Sequence, residues 1–336
     1  MAKNILLTGG LGYIGSHTYV ALISAGYNVV ILDNLSNAKH SVTARLAQIT
    51  NHETTFIKAD VLDRDAVKAA LVDYQINGVV HFAALKAVGE SVEKPLDYAR
   101  INIGGLINVA EMMAELDIKP IVFSSSATVY GADNTSPMTE EMPMGFTNPY
   151  GFTKVSCEHI LTQAETAHGI TPGILRYFNP AGAHASGLIG EDPNDIPNNL
   201  MPYIERVAAG RADALRVWGD DYPTPDGTGV RDYIHVSDLA RGHVLSLNAL
   251  FDQGKGHLVN LGRGEGFSVM DVLKSYSRAC GTDLPYEIHP RRPGDLAVLY
   301  ANAYKAKKVL GFEAKLDLDD ICTSSWNWVK NSAKLS

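Results

Sequence analysis

Short apolar runs alternate with longer segments of helical spacing over the first 180 residues of the chain. The apolar runs are rich in β-branched residues and lie at 5–8, 29–33, 55–59, 78–82, 120–125 and 172–177. Runs of this kind are typical of strands that are buried on both faces of a parallel sheet. Between them, helical spacing is found at 13–25, 65–74, 95–116 and 150–168. This alternation predicts βαβ units with right-handed crossovers, and therefore an α/β fold with a doubly wound parallel sheet.

The pattern changes after about residue 180. Segments 184–199 and 218–232 are dense in Gly, Pro, Asp and Asn, and helical segments at 200–209, 239–250 and 269–280 separate them. Long loops inside a compact unit are often functional. We therefore predict two units, residues 1–180 and a smaller, loop-rich unit at 181–336, with some later strands free to rejoin the first sheet.

Composition narrows the class of protein. The chain has 336 residues, of which 46% are hydrophobic and 20% charged, and its net charge is −8. A globular protein is indicated, and bulk attraction to nucleic acid or to an anionic membrane surface is not expected. A few arginines could still form a local positive pocket for an anionic substrate.

The cysteines and the start of the chain bear on location. Cys157, Cys280 and Cys322 are odd in number and form no CxxC pair, which argues against a disulfide framework and a thiolate metal site. No metal site is predicted. No apolar run approaches the roughly 18–20 residues that span a bilayer, and a strand-like run at residue 5 leaves no room for a signal peptide. A cytoplasmic location is expected.

A glycine-rich turn follows the first predicted strand and opens a helix. Residues 8–17 read TGGLGYIGSH, with Gly9, Gly12 and Gly15 at the spacing of a dinucleotide-binding turn. Small residues let backbone amides approach a pyrophosphate at the positive end of a helix, as in Rossmann-type sheets. Asp33 ends the second strand, 18 residues beyond Gly15. A carboxylate there accepts ribose hydroxyls and repels a 2′-phosphate, so NAD is predicted in preference to NADP.

Two further strand ends carry polar residues with alternative interpretations. Asp60, after the third strand, could bind the adenine amino group or cap a surface helix, and spacing alone does not decide between them. His81, after the fourth strand, could act as an acid or base. Burial with its hydrogen bonds satisfied is the favoured interpretation for that histidine.

Tyr150 and Lys154 lie at i and i+4, on one face of a helix that Pro149 begins. A free tyrosine has a pKa of about 10, too high for an efficient base at neutral pH. A nearby ammonium, together with the positive nicotinamide of NAD⁺, favours the phenolate and lowers that pKa. Such a tyrosine can accept a hydroxyl proton while hydride leaves the same carbon. The run SSSATVYG at 124–131 could supply a hydroxyl beside it, although chemistry alone does not identify which serine acts.

Together these motifs resemble the extended short-chain dehydrogenase/reductase superfamily, and within it the UDP-hexose 4-epimerases. The resemblance covers about residues 3–328. Its specific segments are TGGLGYIGSH, LDNLSN, HFAALKAVGES, SSSATVYG, NPYGFTK, RYFNPAGAH, GEDP with IPNNLMPYI, DYPTPDGTGVRDYIHVSDLA and PRRPGD.

The resemblance implies the roles of individual residues. It implies that Tyr150 is the base, Lys154 its partner and Ser126 the catalytic serine. The NAD contacts that it implies are Gly9, Gly12, Tyr13, Ile14, Gly15, Asp33, Asn34, Leu35, Ser36, Asn37, Asp60, Val61, Phe82, Ala83, Lys86, Asn102, Ser124, Tyr150, Lys154 and Phe178. The UDP-sugar contacts are Lys86, Ser126, Tyr150, Asn179, Asn199, Leu200, Arg216, Val217, Trp218, Arg231, Arg292, Asp295 and Leu299. Forked arginine donors suit a pyrophosphate.

Two positions depart from the family's usual pattern. The family commonly has two adjacent asparagines where this chain has Ile101 and Asn102. It often has a tyrosine or a smaller residue where this chain has Leu299. If Leu299 borders the sugar, its bulk predicts a preference for UDP-glucose and UDP-galactose over N-acetylated UDP-sugars.

The resemblance also implies an activity and an organisation. UDP-galactose and UDP-glucose would be interconverted by transient oxidation at C4, with NAD bound at residues 1–180, UDP-sugar at 181–336, and a homodimer as the assembly. A nucleotide-sugar dehydratase is one alternative, but its elimination needs acidic residues near the serine, where Ala127, Thr128 and Val129 follow Ser126. A non-catalytic NAD-sensing protein is another, and such proteins usually lack the Tyr–Lys pair.

Overall fold

The computed structural model of the protein describes residues 2–193, 199–292 and 294–335. The strands are β1 Asn4–Thr8, β2 Asn28–Asp33, β3 Thr55–Lys58, β4 Gly78–His81, β5 Pro120–Ser126, β6 Thr171–Tyr177, β7 Asn179–Ala181, β8 Leu215–Trp218, β9 Val230–Arg231, β10 Tyr233–His235, β11 His257–Leu261, β12 Phe267–Ser268, β13 Tyr286–His289 and β14 Val298–Leu299. The helices are α1 Tyr13–Ser24, α2 Val42–Thr50, α3 Arg64–Asp73, α4 Val88–Glu93, α5 Pro95–Tyr98, α6 Gly105–Glu115, α7 Pro149–His168, α8 Leu200–Ala208, α9 Val236–Gln253, α10 Val269–Cys280, α11 Tyr304–Leu310 and α12 Leu318–Leu335.

Within the described residues, seven strands form one parallel sheet in the order β11-β6-β5-β4-β1-β2-β3. The prediction of a doubly wound α/β fold is confirmed. The chain runs outward from β1 to β3 and then resumes on the other side of β1 with β4, so the strand order reverses between β1 and β4. Ligands of such sheets bind in the crevice at the carboxyl ends of the strands where the order reverses.

Alternate residues of the strands pack into two different cores, one on each face of the sheet. Leu7 and Ile31 face α1 and α9, whereas Leu6 and Val30 face α3 and α6. Both faces are covered, which explains why the strands read as continuous apolar runs rather than as alternating ones.

The predicted helix at 95–116 is interrupted, which the sequence pattern did not indicate. The chain forms α5, then a π-helical segment Ala99–Gly104, and only then α6. At the junction, a Cβ on Gly105 would lie 2.7 Å from the Val61 side chain, so a glycine is needed for this close approach to the end of β3. Insertions of this kind in a helix are frequent at functional sites.

The second half of the chain contributes both to the large sheet and to a separate layer. Strand β11 is the edge strand beside β6, as the sequence analysis allowed. In the described part of the chain, β7 pairs with β10, β8 with β13, and β9 with β12 and β14. Helices α8, α10 and α12 share an apolar core with β8. No helix among the described residues is both long and apolar enough to cross a membrane.

Candidate active site

A cleft of about 530 Å³ lies across the carboxyl ends of the sheet strands, within the range of about 300–1,000 Å³ that is usual for small-molecule sites. Its walls bring together most of the residues singled out in the sequence. Those in the lining are Gly9, Gly12, Tyr13, Ile14, Gly15, Asp33, Asn34, Ser36, Asn37, Asp60, Val61, Phe82, Ala83, Lys86, Ser124, Ser126, Tyr150, Lys154, Phe178, Asn179, Asn199, Leu200, Arg231 and Arg292.

The glycine turn is shaped by close backbone contacts. Gly9 has φ +65°, and a Cβ there would lie 2.8 Å from the backbone nitrogen of Ala83. A Cβ on Gly15 would lie 2.4 Å from the carbonyl oxygen of Gly9. Helix α1 begins after Gly12 with no side-chain cap, so its positive end is directed at the cleft by backbone alone. This cradle fits the pyrophosphate of a dinucleotide.

Asp33 is held in place at the end of β2. Its two carboxylate oxygens accept hydrogen bonds from the backbone N–H groups of Leu11, at 3.1 Å, and Leu35, at 2.8 Å. The side chain is buried, and burial raises the pKa of Asp33, partly offset by these two bonds. Leu35 itself has φ 64°, and its side chain packs against the apolar core rather than lining the cleft.

Asp60 lies across the cleft from the glycine turn, and its contacts bear on the two interpretations of its role. Its Oδ2 accepts a hydrogen bond from Asn34 Nδ2 at 2.8 Å, and its Oδ1 accepts one from the backbone of Leu62. The cap of α3 is Asp63, whose carboxylate accepts from the backbone of Ala66. Helix capping at this strand end is therefore done by Asp63, whereas Asp60 lines the cleft.

Tyr150 and Lys154 project from the first turns of α7 toward the end of β5. Asn148 caps α7 through the backbone of Gly151, and Pro149 begins it, as predicted. Lys154 Nζ donates a 2.7 Å hydrogen bond to the carbonyl of Ser124 and lies 5.7 Å from the centre of the Tyr150 ring. The Ser126 hydroxyl is near enough to Tyr150 to favour its ionised form and so to lower the pKa of the phenol. Ser126 is thus the serine that the geometry places beside the tyrosine.

The ionisation of this pair differs from the simplest sequence argument. That argument predicts a lowered pKa for the phenol. In the structure, burial instead raises the pKa of Tyr150 to about 12, and the influence of Ser126 offsets this only in part. Burial likewise lowers the pKa of Lys154 to about 8. The chain's own residues therefore hold the phenol protonated at neutral pH. The positive nicotinamide, which the sequence argument also invoked, must favour the phenolate.

His81 and Asn102 are occupied by structural contacts. His81 is buried, its Nδ1 lies 2.9 Å from the Thr8 hydroxyl, and burial lowers its pKa to about 3, as expected for a satisfied core histidine. Asn102 was predicted to contact the cofactor, but its side chain is bonded to both backbone groups of Leu85 and to the Thr153 hydroxyl. It is 2% exposed and outside the cleft lining. The amide holds Leu85, which lines the cleft.

Arg231 and Arg292 converge at the opposite end of the cleft. Arg292 Nε donates to Asp295 at 2.8 Å, and Arg231 Nη2 lies 3.8 Å from the other oxygen of the same carboxylate. Asp295 therefore orients both guanidinium groups without lining the cleft itself. Because both arginines remain in the lining, this ion pairing is compatible with their binding an anionic group.

The predicted contacts on β8 and β14 lie outside the lining. Val217 is a core residue at 1% exposure, Arg216 is exposed, and Trp218 packs against His289. The side chain of Val217 is thus buried in the core, and the prediction that this strand contacts the UDP-sugar stays a prediction. Leu299 is partly buried against a small apolar cluster that includes Val129 and Phe178, and it lies outside the cleft lining.

Among the cleft residues that sequence reasoning missed are Glu191 and Tyr177. Glu191 forms an ion pair with Lys86 at 2.9 Å, both in the cleft lining, and the Tyr177 hydroxyl lies 3.2 Å from His243 Nε2. Strand alternation beyond Arg176 could have indicated Tyr177. Nothing local indicates Glu191, which lies 105 residues from Lys86.

Comparison with known proteins gives a consistent result. Residues 5–262 match the NAD dependent epimerase/dehydratase family. The chain is 52% identical to a UDP-glucose 4-epimerase of Bacillus subtilis over 325 residues, covering 96% of each chain. The crystal structure of a UDP-glucose-4-epimerase from Stenotrophomonas maltophila, with bound NAD and formylated UDP-arabinopyranose, superposes with a TM-score of 0.97 at 46% identity, covering 99% of this chain and 100% of that one. A UDP-glucose 4-epimerase from Bifidobacterium longum in complex with NAD⁺ and UDP gives 0.93 at 47% identity, covering 98% and 99%.

Proposed function

The chain belongs to the NAD dependent epimerase/dehydratase family, and from that premise we propose that it is a UDP-glucose 4-epimerase that interconverts UDP-galactose and UDP-glucose. The enzyme oxidises C4 of the hexose to a ketone and reduces it again from the opposite face. The observation that carries the proposal is the Tyr150, Lys154 and Ser126 cluster, set between the glycine cradle and the two arginines of a single cleft.

NAD is the cofactor, and the described residues fit it. The glycine turn would hold the pyrophosphate, the Asp33 carboxylate the adenosine ribose, and Asp60 with Asn34 the adenine end. When bound, NAD supplies the acceptor and donor of the hydride at C4.

The chain's own residues move the proton and keep the reacting groups in place. Tyr150 accepts the proton of the 4-hydroxyl and later returns it, which is general base and then general acid catalysis. Ser126 would hold the oxygen that loses the proton, since its hydroxyl favours the ionised form of the nearby Tyr150 phenol. Lys154, fixed by the Ser124 carbonyl, supplies positive charge beside the phenolate.

The arginines hold the part of the substrate that must not move. Guanidinium groups bind phosphate oxygens through forked, charge-assisted donors. Arg231 and Arg292 would fix the diphosphate while Asn179 and Asn199 offer neutral hydrogen bonds. The side chain of Asn199 makes no cap bond to α8, although the residue stands at its N-cap position. A fixed nucleotide allows the 4-keto sugar to rotate about its diphosphate link and present its other face.

The direct test is to incubate the pure protein with UDP-galactose, without added NAD, and to measure UDP-glucose. We expect conversion to the equilibrium mixture, because the cofactor is regenerated in each cycle. Absence of UDP-glucose, both with and without added NAD, would contradict the proposal. Formation of a dehydrated keto sugar would favour the dehydratase alternative instead.

A second copy of the chain is the partner that we propose for an exposed apolar surface. Leu96 is 76% exposed and Val92 65%, and α4 and α5, which carry them, pack beside α7, where Phe152 is 43% exposed. Large exposed apolar side chains on neighbouring helices are typical of an interaction site. We expect light scattering to give a dimer mass and Leu96→Asp to give a monomer. A wild-type monomer would contradict the assignment.

We also propose that the protein works in the cytoplasm. All three cysteines are free, and Cys157 and Cys322 are buried. Free thiols are usual in reducing compartments. Fractionation of the source cells should find the protein with cytoplasmic markers.

A further inference from the structure

One face of α7 meets three successive residues at the end of β5. Tyr150, Lys154 and Glu158 follow one another at intervals of four, so their side chains share that face. Lys154 donates to the Ser124 carbonyl, and Ser126 is near enough to Tyr150 to lower the pKa of the phenol. The third, Glu158, accepts a short hydrogen bond from the hydroxyl of Ser125, the residue between them.

Glu158 is also the buried end of an ion pair with β6. Arg176 donates to its carboxylate through Nε, at 2.9 Å, and through Nη2, at 2.6 Å. The two side chains are 3% and 2% exposed, and Arg176 lies directly opposite Ser125 in the β5–β6 pairing. One carboxylate therefore joins α7, β5 and β6 at the point where the strands enter the cleft.

Stability gives little reason for this arrangement. Burying two charges costs desolvation free energy, and replacement of such a pair by apolar residues is often neutral or stabilising. What the pair provides is a fixed geometry, because the carboxylate accepts hydrogen bonds from two nitrogens of Arg176 and from the hydroxyl of Ser125. Glu158 lies outside the cleft lining, so any influence on the reaction passes through its neighbours.

We propose that Glu158, with Arg176 and Ser125, is a positioning residue for the C4 oxidation: it holds the end of β5 against α7 and so sets the Tyr150–Ser126 and Lys154–Ser124 contacts. This inference rests on the proposed function. Besides these partners, the ionisable groups that face Tyr150 are Cys157 on its own helix, Tyr98 on α5 and Tyr177 on β6.

The test uses variants that avoid leaving one charge buried alone. The double variant Glu158→Leu with Arg176→Met, called the Leu/Met variant below, removes both charges and the bond to Ser125. The double variant Glu158→Gln with Arg176→Met, called the Gln/Met variant, keeps an acceptor for Ser125. We expect the Leu/Met variant, and Ser125→Ala, to lose about 10- to 100-fold in kcat, the cost of a small misplacement of reacting groups, with KM and bound NAD unchanged. The acid limb of the kcat–pH profile should move to higher pH. The Gln/Met variant should recover most of the rate.

Asp238→Asn is the matched control. Asp238 is a buried carboxylate on α9 that pairs with Arg241 at 2.9 Å and accepts from the backbone of Lys315 and Leu316. A residue with a merely structural role should lower Tm when it is replaced and leave kcat and the pH profile unchanged. We expect this result for Asp238→Asn and not for the Leu/Met variant or Ser125→Ala. A folded Leu/Met variant with wild-type kcat and pH profile would overturn the inference.

A second readout separates this inference from the proposed function. Absorbance titration of each NAD⁺-loaded protein against its own Tyr150→Phe counterpart measures the pKa of Tyr150 without any substrate. We expect a higher pKa in Ser125→Ala and in Leu/Met than in wild type, and an unchanged pKa overturns the positioning role. Failure of wild type to convert UDP-galactose overturns only the proposed function.

Discussion

Replacing Lys154 by methionine isolates the influence of its charge on the catalytic phenol. Methionine keeps most of the length of the side chain but removes the ammonium, which lies 5.7 Å from the centre of the Tyr150 ring. Taking that distance as the separation of the two charges, an effective dielectric constant of about 20 gives an attraction between ammonium and phenolate of about 3 kcal/mol. One pKa unit corresponds to about 1.4 kcal/mol, so loss of the ammonium raises the pKa of Tyr150 by about two units.

The assay is the kcat of UDP-glucose formation from UDP-galactose, measured over the pH range in which the protein stays folded. The acid limb reports the phenol in the substrate complex, so we expect it about two units higher in Lys154→Met than in wild type. Lys119→Met is the control, because Lys119 Nζ also donates to a backbone carbonyl, that of His168, but far from the cleft. An acid limb that stays in place in Lys154→Met would refute the electrostatic role of the lysine.

The same variant makes a prediction about stability. Burial lowers the pKa of Lys154 from 10.5 to about 8, so between these values the unfolded chain binds more protons than the folded one. The free energy of unfolding of wild type should therefore rise, relative to that of Lys154→Met, as pH increases from about 8 toward 10.5. Urea denaturation at the two ends of this window measures the difference. A difference in the free energy of unfolding that does not change with pH would show that folding does not lower the pKa of Lys154.

Four further substitutions or comparisons test other parts of the site. Tyr150→Phe should lower kcat by about 10²- to 10⁴-fold, the usual contribution of a general base, while bound NAD is retained; near-normal turnover would contradict the assignment. Titration of the apoprotein should show tighter binding of NAD⁺ than of NADP⁺, and equal affinities would argue against the ribose role of Asp33. Arg292→Ala should weaken UDP binding in calorimetry by about 1.5–3 kcal/mol, whereas its neighbour Arg291, which pairs with Asp221 outside the cleft lining, should tolerate the same change. Leu299 lies outside the lining but packs against the cluster that contains the lining residue Phe178, so Leu299→Tyr and Leu299→Ala should shift the ratio of kcat/KM between UDP-galactose and its N-acetylated analogue, a preference of about 10- to 200-fold in wild type. An unchanged ratio would show that Leu299 does not influence the sugar pocket.

The sheet and the glycine turn could be predicted because their signals are local. Strand β1 reads as an apolar run because Leu6 and Leu7 are buried on opposite faces, and the turn needs Gly9 at a positive φ. The spacing of Tyr150 and Lys154 likewise follows from one helix. In each case a few neighbouring residues carry the whole pattern.

The partners of polar side chains could not be predicted in the same way. The Asn102 side chain hydrogen-bonds with Leu85 and Thr153, and Glu191 pairs with Lys86 from 105 residues away. Neither set of contacts has a signal in the neighbouring sequence. For Val217 a local signal did exist, because Leu215 and Val217 alternate with Arg216 along β8. That alternation indicates a half-buried strand with Val217 on its inner face, as the structure has it.

The central claim, that the hydrogen at C4 leaves and returns within one cleft, has a direct measurement. Pure enzyme is incubated with UDP-galactose carrying deuterium at C4, and the UDP-glucose formed is examined by NMR and mass spectrometry. The account predicts that the deuterium is retained at C4 of UDP-glucose, because the hydride is held on bound NAD and returned to the same carbon. Exchange of the label with solvent, or its appearance at another carbon, would contradict the account.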